Sequence, residues 1–156
     1  MNSRSARTFL FLSGLLLLAI GCGILLVPHA FHASNGIVLG ADSSLLSEVR
    51  APGGLLTASA VLILLGAFQA SLRPTAMRLT VLVYGSFGLA RLLSLALDGI
   101  PSTGLVASTV IELVVAAGGL LILLRSGAPF VEAQVLRRDR AERLAGRTAE
   151  SGSSIG

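Results

Sequence analysis

The chain alternates between long apolar runs and short clusters of charge. No charged residue lies between Arg7 and Asp42, none between Arg50 and Arg73, only Arg91 between Arg78 and Asp98, and only Glu112 between Asp98 and Arg125. A helix needs about 20 mostly apolar residues to cross the hydrocarbon of a bilayer. The pattern therefore predicts four membrane-spanning helices, at roughly 8–28, 53–72, 77–97 and 103–124. Spanning strands would be about 10 residues long and would alternate in polarity; these runs are unbroken and rich in Leu and Ala. The expected fold is all-α, an integral membrane four-helix bundle of up-down topology. Its domain covers 1–125, followed by a basic tail, 126–156.

Composition sharpens this reading. Of 156 residues, 53% are hydrophobic and 13% charged, against about 25% charged in ordinary soluble domains. That balance excludes a disordered chain and argues against a soluble enzyme. All twelve basic residues are Arg. With both termini inside, ten fall on the cytoplasmic side; Arg50 and Arg91 lie toward the other. The positive-inside rule then places both termini in the cytoplasm and accounts for the net charge of +4 as topology. A nucleic-acid partner is not expected, because Glu132, Asp139, Glu142 and Glu150 interrupt the basic tail.

Several local patterns compete with this picture. Arg4 and Arg7 before Phe9 to Ile20 imitate a signal peptide, and Leu18-Ala19-Ile20-Gly21-Cys22 imitates a lipobox. The apolar run continues through Gly23 to Val27, however, so span one is expected to be retained, with Cys22 a small packing residue. His29 and His32 stand three apart, as metal ligands can, but no further ligand completes a site; neither a metal nor another cofactor is expected. The connection from His29 to Arg50 is partly apolar and rich in turn formers, among them Asn35-Gly36, Gly40 and Asp42. Ser43 or Ser44 is expected to cap a short helix through Glu48. Asp98-Gly99-Ile100-Pro101-Ser102 reads as a tight outer turn in which Gly99 permits positive φ. Small residues at Gly36 and Gly40, at Gly85, Gly88 and Ala90, and from Ala116 to Gly119 favour close helix packing. The tail carries i,i+4 pairs Arg138–Glu142 and Asp139–Arg143, predicting a short helix before a disordered end. Its Gly152-Ser153-Ser154-Ile155-Gly156 copies a nucleophile motif without the strand-turn-helix that the motif requires.

The candidate chemistry sits in the spans. A charge facing lipid near the bilayer centre costs at least about 2.5–3.5 kcal/mol, so Arg91 and Glu112 must be paired, shielded or wet. At 1.5 Å per residue both fall at similar depth in the outer halves of consecutive spans, and an ion pair between them is expected, with Tyr84, Ser94 or Ser108 near enough to add hydrogen bonds. Tyr84, Gly88, Arg91, Ser94 and Asp98 lie on or beside one helical face; Ser108 and Glu112 share a face of span four. Glu48 and Arg50 stand at the mouth of span two, and Asp98 is placed to bond its own turn or Arg50. The expected polar cluster, for binding or for structure, is Glu48, Arg50, Tyr84, Arg91, Ser94, Asp98 and Glu112. No catalytic residue is assigned.

Glu48-Val49-Arg50-Ala51-Pro52-Gly53-Gly54, Gly88-Leu89-Ala90-Arg91, Asp98-Gly99-Ile100-Pro101-Ser102 and Glu112-Leu113, with Pro28, Phe31 and Asn35-Gly36-Ile37 closing span one, carry a resemblance over about residues 10–125. In this combination the chain resembles a bacterial family of small four-helix membrane proteins, catalogued as a domain of unknown function numbered four-three-four-five. The resemblance implies the four-span fold in a bacterial inner membrane and no activity. A distant similarity to DoxX-type proteins rests on architecture alone.

Three functions remain in view: a non-enzymatic membrane protein that binds a lipid or small hydrophobic molecule, or serves as an accessory subunit of a membrane complex; a small oligomeric or proton-coupled carrier using Arg91 and Glu112; and a membrane enzyme, for which no nucleophile-and-base set is present. Membrane lipid, a second copy or a larger complex are the expected partners. The topology is open to cysteine-accessibility labelling. A cysteine at Ser43 should label from outside and one at Ser151 only after permeabilisation; external labelling at Ser151 would overturn the orientation.

Overall fold

The computed structural model describes residues 3–125. These form α1 (Ser3–Leu26), α2 (Pro28–Ala33), α3 (Ser43–Phe68), α4 (Arg73–Asp98) and α5 (Thr103–Arg125). Four of the helices are long and apolar enough to cross a membrane, and α2 is a single short insertion at one end. The expected helix, disordered end and G-x-S-x-G run of the tail lie outside the described residues.

Each long helix buries a narrow stripe. Ala6, Leu10 and Leu17 of α1, Leu56, Ala60, Ile63 and Ala67 of α3, and Ala76, Met77 and Tyr84 of α4 make the core. On α5 the buried positions are Thr109, Glu112 and Gly119. Most of these positions are three, four or seven residues apart, the spacing at which a helix presents one face. The remaining faces leave large apolar side chains exposed, among them Leu12, Leu55, Leu82, Leu89 and Val114. In a soluble protein such surface would drive association; around four spans it is the lipid-facing belt.

The helices begin earlier than the apolar runs suggest. α1 takes in Arg4 and Arg7, and α4 begins at Arg73 with a proline in its first turn, where the missing N–H is an orphan in any case. α3 begins ten residues before Gly53 and ends at Phe68, four short of the expected boundary; Gln69 to Leu72 make the turn. Its cap is Asp42, whose Oδ1 accepts from Leu45 N at 2.9 Å, so neither Ser43 nor Ser44 caps. The expected short helix and span two are one helix. Pro52 lies inside it and removes the single bond that would return to the carbonyl of residue 48, without ending the helix.

The connection after α1 also has more order than its turn residues suggest. Pro28 opens α2. Gly36 then takes φ +78°, with Gly36 N bonded to Ala33 O and Ile37 N to His32 O, the paired bonds of a Schellman ending. His32 Nδ1 bonds to Pro28 O at 2.9 Å. Gly36 and Gly40 face open space or ordinary contact and so do not pack helices together. At the turn between α4 and α5 Gly99 has φ +95°, as expected, and Ser102 O accepts from Leu105 N and Val106 N to start α5.

The closest backbone approach joins α1 to α3. A Cβ at Gly21 would stand 2.7 Å from Thr57 N, and one at Gly53 would stand 2.8 Å from Leu25 N. Backbone atoms cannot swing aside as a side-chain tip can. At the other end of this pair, Phe11 meets Phe68 edge-on with centroids 6.0 Å apart, and the Arg7 guanidinium lies 5.5 Å over the Phe68 ring. Replacing Gly53 by Leu should destabilise the bundle by about 1–3 kcal/mol, the usual cost of overpacking. The same change at Gly54, which has nothing within 4 Å, should be tolerated. Thermal unfolding in detergent measures both; equal losses would refute the close approach.

Candidate functional site

Arg91 on α4 and Glu112 on α5 meet. Arg91 Nε donates to Glu112 Oε1 and Oε2, each at 3.1 Å. The carboxylate side chain is 9% exposed and the Arg91 side chain 32%, so the acid is sealed in the bundle while the base reaches its margin. α4 brings Arg91 inward on the face that also carries Tyr84 and Gly88. Gly88 makes room for this approach: a Cβ there would lie 2.8 Å from Leu113 Cδ2, beside the carboxylate's own residue, and the leucine would have to shift. Gly119 performs the same service two turns along α5, where a Cβ would meet Val81 Cγ2 at 2.8 Å.

The other residues expected around the pair are spent elsewhere. Tyr84 is buried, but its hydroxyl donates to Ser13 O of α1 at 2.6 Å, tying α4 to α1. Ser94 Oγ donates to Asp98 Oδ2 at 2.9 Å, a bond within the last turn of α4, so Asp98 bonds neither the turn backbone nor Arg50. Ser108 Oγ donates to Gly104 O at 3.0 Å, an i−4 carbonyl of the kind that serine commonly finds in a helix. Arg50 Nε donates to Leu25 O at 3.2 Å, holding the end of α1. Glu48, a solvent-facing residue of α3, has no bond to the pair. The expected cluster of Glu48, Arg50, Tyr84, Arg91, Ser94, Asp98 and Glu112 is therefore corrected to one ion pair plus separate local bonds.

The pair borders a partly enclosed cavity of about 70 Å³. Leu17, Ile20 and Ile24 of α1, Leu56 of α3, and Val83 and Phe87 of α4 give it apolar walls. Tyr84, Arg91, Ser108 and Glu112 supply polar atoms, and Phe31 and Asn35 reach it from α2 and the turn that follows. Phe31 packs against Gly23, where a Cβ would lie 2.6 Å from the ring, and Asn35 Oδ1 would lie 2.8 Å from a Cβ at Gly104. The insertion thus touches α1 on one side and α5 on the other. At about 10–15 Å³ for each water-sized occupant, the cavity has room for about five waters, or for a small polar group with a few carbons. Among the described residues no cluster of three or more His, Cys, Asp or Glu side chains stands ready to hold a metal.

Phe31, Asn35 and Leu105 were not singled out from the sequence as bordering a site. Asn35-Gly36 registered as a turn signal, and an asparagine in a turn has an adequate local explanation. A membrane-bordering asparagine beside an apolar helix was the signal that pointed further.

The chain matches the family described as a domain of unknown function, DUF4345, over residues 5–123, and it belongs to that family. No curated protein and no solved structure matches it.

The pair makes a double-substitution cycle informative. Arg91→Leu or Glu112→Leu should each destabilise by about 3–5 kcal/mol, because the remaining charge is left without its partner. The double substitution should recover most of that loss. Denaturant unfolding in mixed micelles reads the cycle, and additive losses would exclude a coupled pair.

Proposed function

We propose that this DUF4345 member is a non-enzymatic multi-pass membrane protein that holds a lipid or small hydrophobic molecule between its helices, with both termini in the cytoplasm. One observation carries the reading: a partly enclosed cavity with apolar walls from α1, α3 and α4 and an ion pair on its border. Ligand sites generally combine apolar walls with a few placed polar groups. A membrane protein gains access to such a ligand from the surrounding bilayer.

The state of the polar groups supports binding over catalysis. A general base has to lie within hydrogen-bond reach of the proton that it takes, in a geometry that aims it there. Both oxygens of Glu112 are engaged by Arg91 Nε, and the hydroxyls of Tyr84 and Ser108 donate to backbone carbonyls. These bonds hold the site's shape and leave it poorly suited to proton traffic. The orientation rests on the basic residues: Arg4 and Arg7 begin α1, and Arg73 and Arg78 begin α4, at the same end of an up-down bundle, while Arg50 and Arg91 belong to the other end.

Purification into native-lipid nanodiscs, followed by mass spectrometry of the extracted molecules, tests the proposal. The unmodified protein should carry one species enriched over the bulk lipid. Val83→Trp, which fills the cavity from α4, should lose that enrichment several-fold while remaining folded. An extract indistinguishable from bulk lipid in the unmodified protein would sink the reading.

A further inference from the structure

We infer that the molecule held in this cavity presents an uncharged hydrogen-bond acceptor, an ester, amide or ketone oxygen, to the guanidinium of Arg91, and that an anionic head is disfavoured. This rests on the reading of the cavity as a ligand site. It follows from which polar capacity remains there. A guanidinium has five N–H donors. The Nε donor goes to Glu112; the four on Nη1 and Nη2 make no hydrogen bond among the described residues, although Arg91 borders the cavity. The neighbouring donors are committed: Tyr84 to Ser13 O, Ser108 to Gly104 O, and Asn35 Nδ2 to Phe31 O and Ser34 Oγ. The unspent donors are therefore those of Arg91, whose side chain is 32% exposed and borders the cavity, so that an acceptor held there can take them.

Charge decides which kind of acceptor. Arg91 and Glu112 are the charged residues bordering the cavity, and together they are neutral. A carboxylate or phosphate placed beside them would leave a net negative charge among apolar walls and close to a sealed Glu112. Desolvation and like-charge repulsion both oppose that arrangement. A carbonyl oxygen takes the same N–H donors without either cost. The volume of about 70 Å³ suits a group of ester size with its first carbons, the rest of the chain lying outside the cavity.

The protein contains one tyrosine, Tyr84, and no tryptophan, so its intrinsic emission reports from the cavity wall itself. A nitroxide-labelled stearate methyl ester and the matching free acid offer the same chain with a neutral or an ionised head. They are titrated into vesicles of zwitterionic lipid carrying the full chain as the sole protein, at about pH 9, where the acid is ionised. The ester should quench Tyr84 saturably and at a concentration at least about tenfold lower than the acid, a difference of about 1.4 kcal/mol in binding. An acid that binds as tightly as the ester, or more tightly, would overturn the neutral-head inference and leave the cavity reading standing. Saturable quenching by neither probe would overturn the cavity reading and this inference with it. In Arg91→Leu/Glu112→Leu, which keeps the site neutral and removes the donors, the ester itself should need a concentration at least about tenfold higher, a loss of about 1.4 kcal/mol; ester binding unchanged there would overturn the assignment to Arg91.

Discussion

A carboxylate enclosed by apolar helices has to find its counter-charge inside the protein, and that requirement organises one half of this bundle. Glu112 has little access to solvent, and its oxygens are served by Arg91. For the pair to form, α4 and α5 must come close at one register. Gly88 and Gly119 permit it, each lying where a side chain would strike the facing helix. A one-residue slip would turn Glu112 toward lipid, where its charge would be several kcal/mol less stable. The ion pair and the glycines therefore state one constraint in two forms: the charges say where the helices must meet, and the small residues let them.

The other half follows a different rule. α1 and α3 approach so closely that a Cβ at Gly21 or Gly53 would stand 2.7 or 2.8 Å from a backbone nitrogen of the other helix. No ion pair assists them; contact area and the absence of side chains do the work, as is common where lipid removes the hydrophobic drive between helices. The two halves are tied by the Tyr84 hydroxyl on Ser13 O. A buried phenol needs such a partner, and a helical carbonyl can accept a second bond. The cavity is the space left between a tight apolar pair and a charge-paired one, where walls of both kinds meet.

The number of spans and the Arg91–Glu112 contact were legible in the sequence because both rest on the same scarcity. Charges are so few in these runs that the gaps define helices, and two opposite charges at matching depth have little choice but each other. Helix ends were less legible. Hydrophobicity marks where lipid begins, but hydrogen bonding continues for as long as the backbone is capped, which is why α3 reaches back to an aspartate in a polar stretch and passes through Pro52. The wider cluster was not legible at all. Helical spacing says which residues share a face of one helix, but it cannot say that Arg50 points to the end of α1, that Ser94 bonds Asp98, or that Tyr84 reaches past the ion pair to α1. Phe31 and Asn35 came to the cavity through α2, a six-residue helix too short to leave a periodic signature.

The polar residues thus divide by task. Those at the α2 end of the bundle fasten the frame: Asp42 starts α3, and Arg50 binds the Leu25 carbonyl of α1 where Pro28 turns the chain into α2. Because α2 is anchored there, Phe31 and Asn35 are held against Gly23 and Gly104 and complete the cavity between α1 and α5. The pair deeper in the bundle then has surroundings that are fixed before any ligand arrives. Preorganisation of this kind lowers the entropy lost on binding, and it bears directly on Arg91. Its side chain is already oriented by two bonds to Glu112, so a ligand that takes the remaining N–H groups does not have to immobilise a free arginine. The carboxylate that balances the arginine's charge also aims it, which is a sufficient physical reason for a buried Glu112 to stand beside the cavity proposed to hold a neutral molecule.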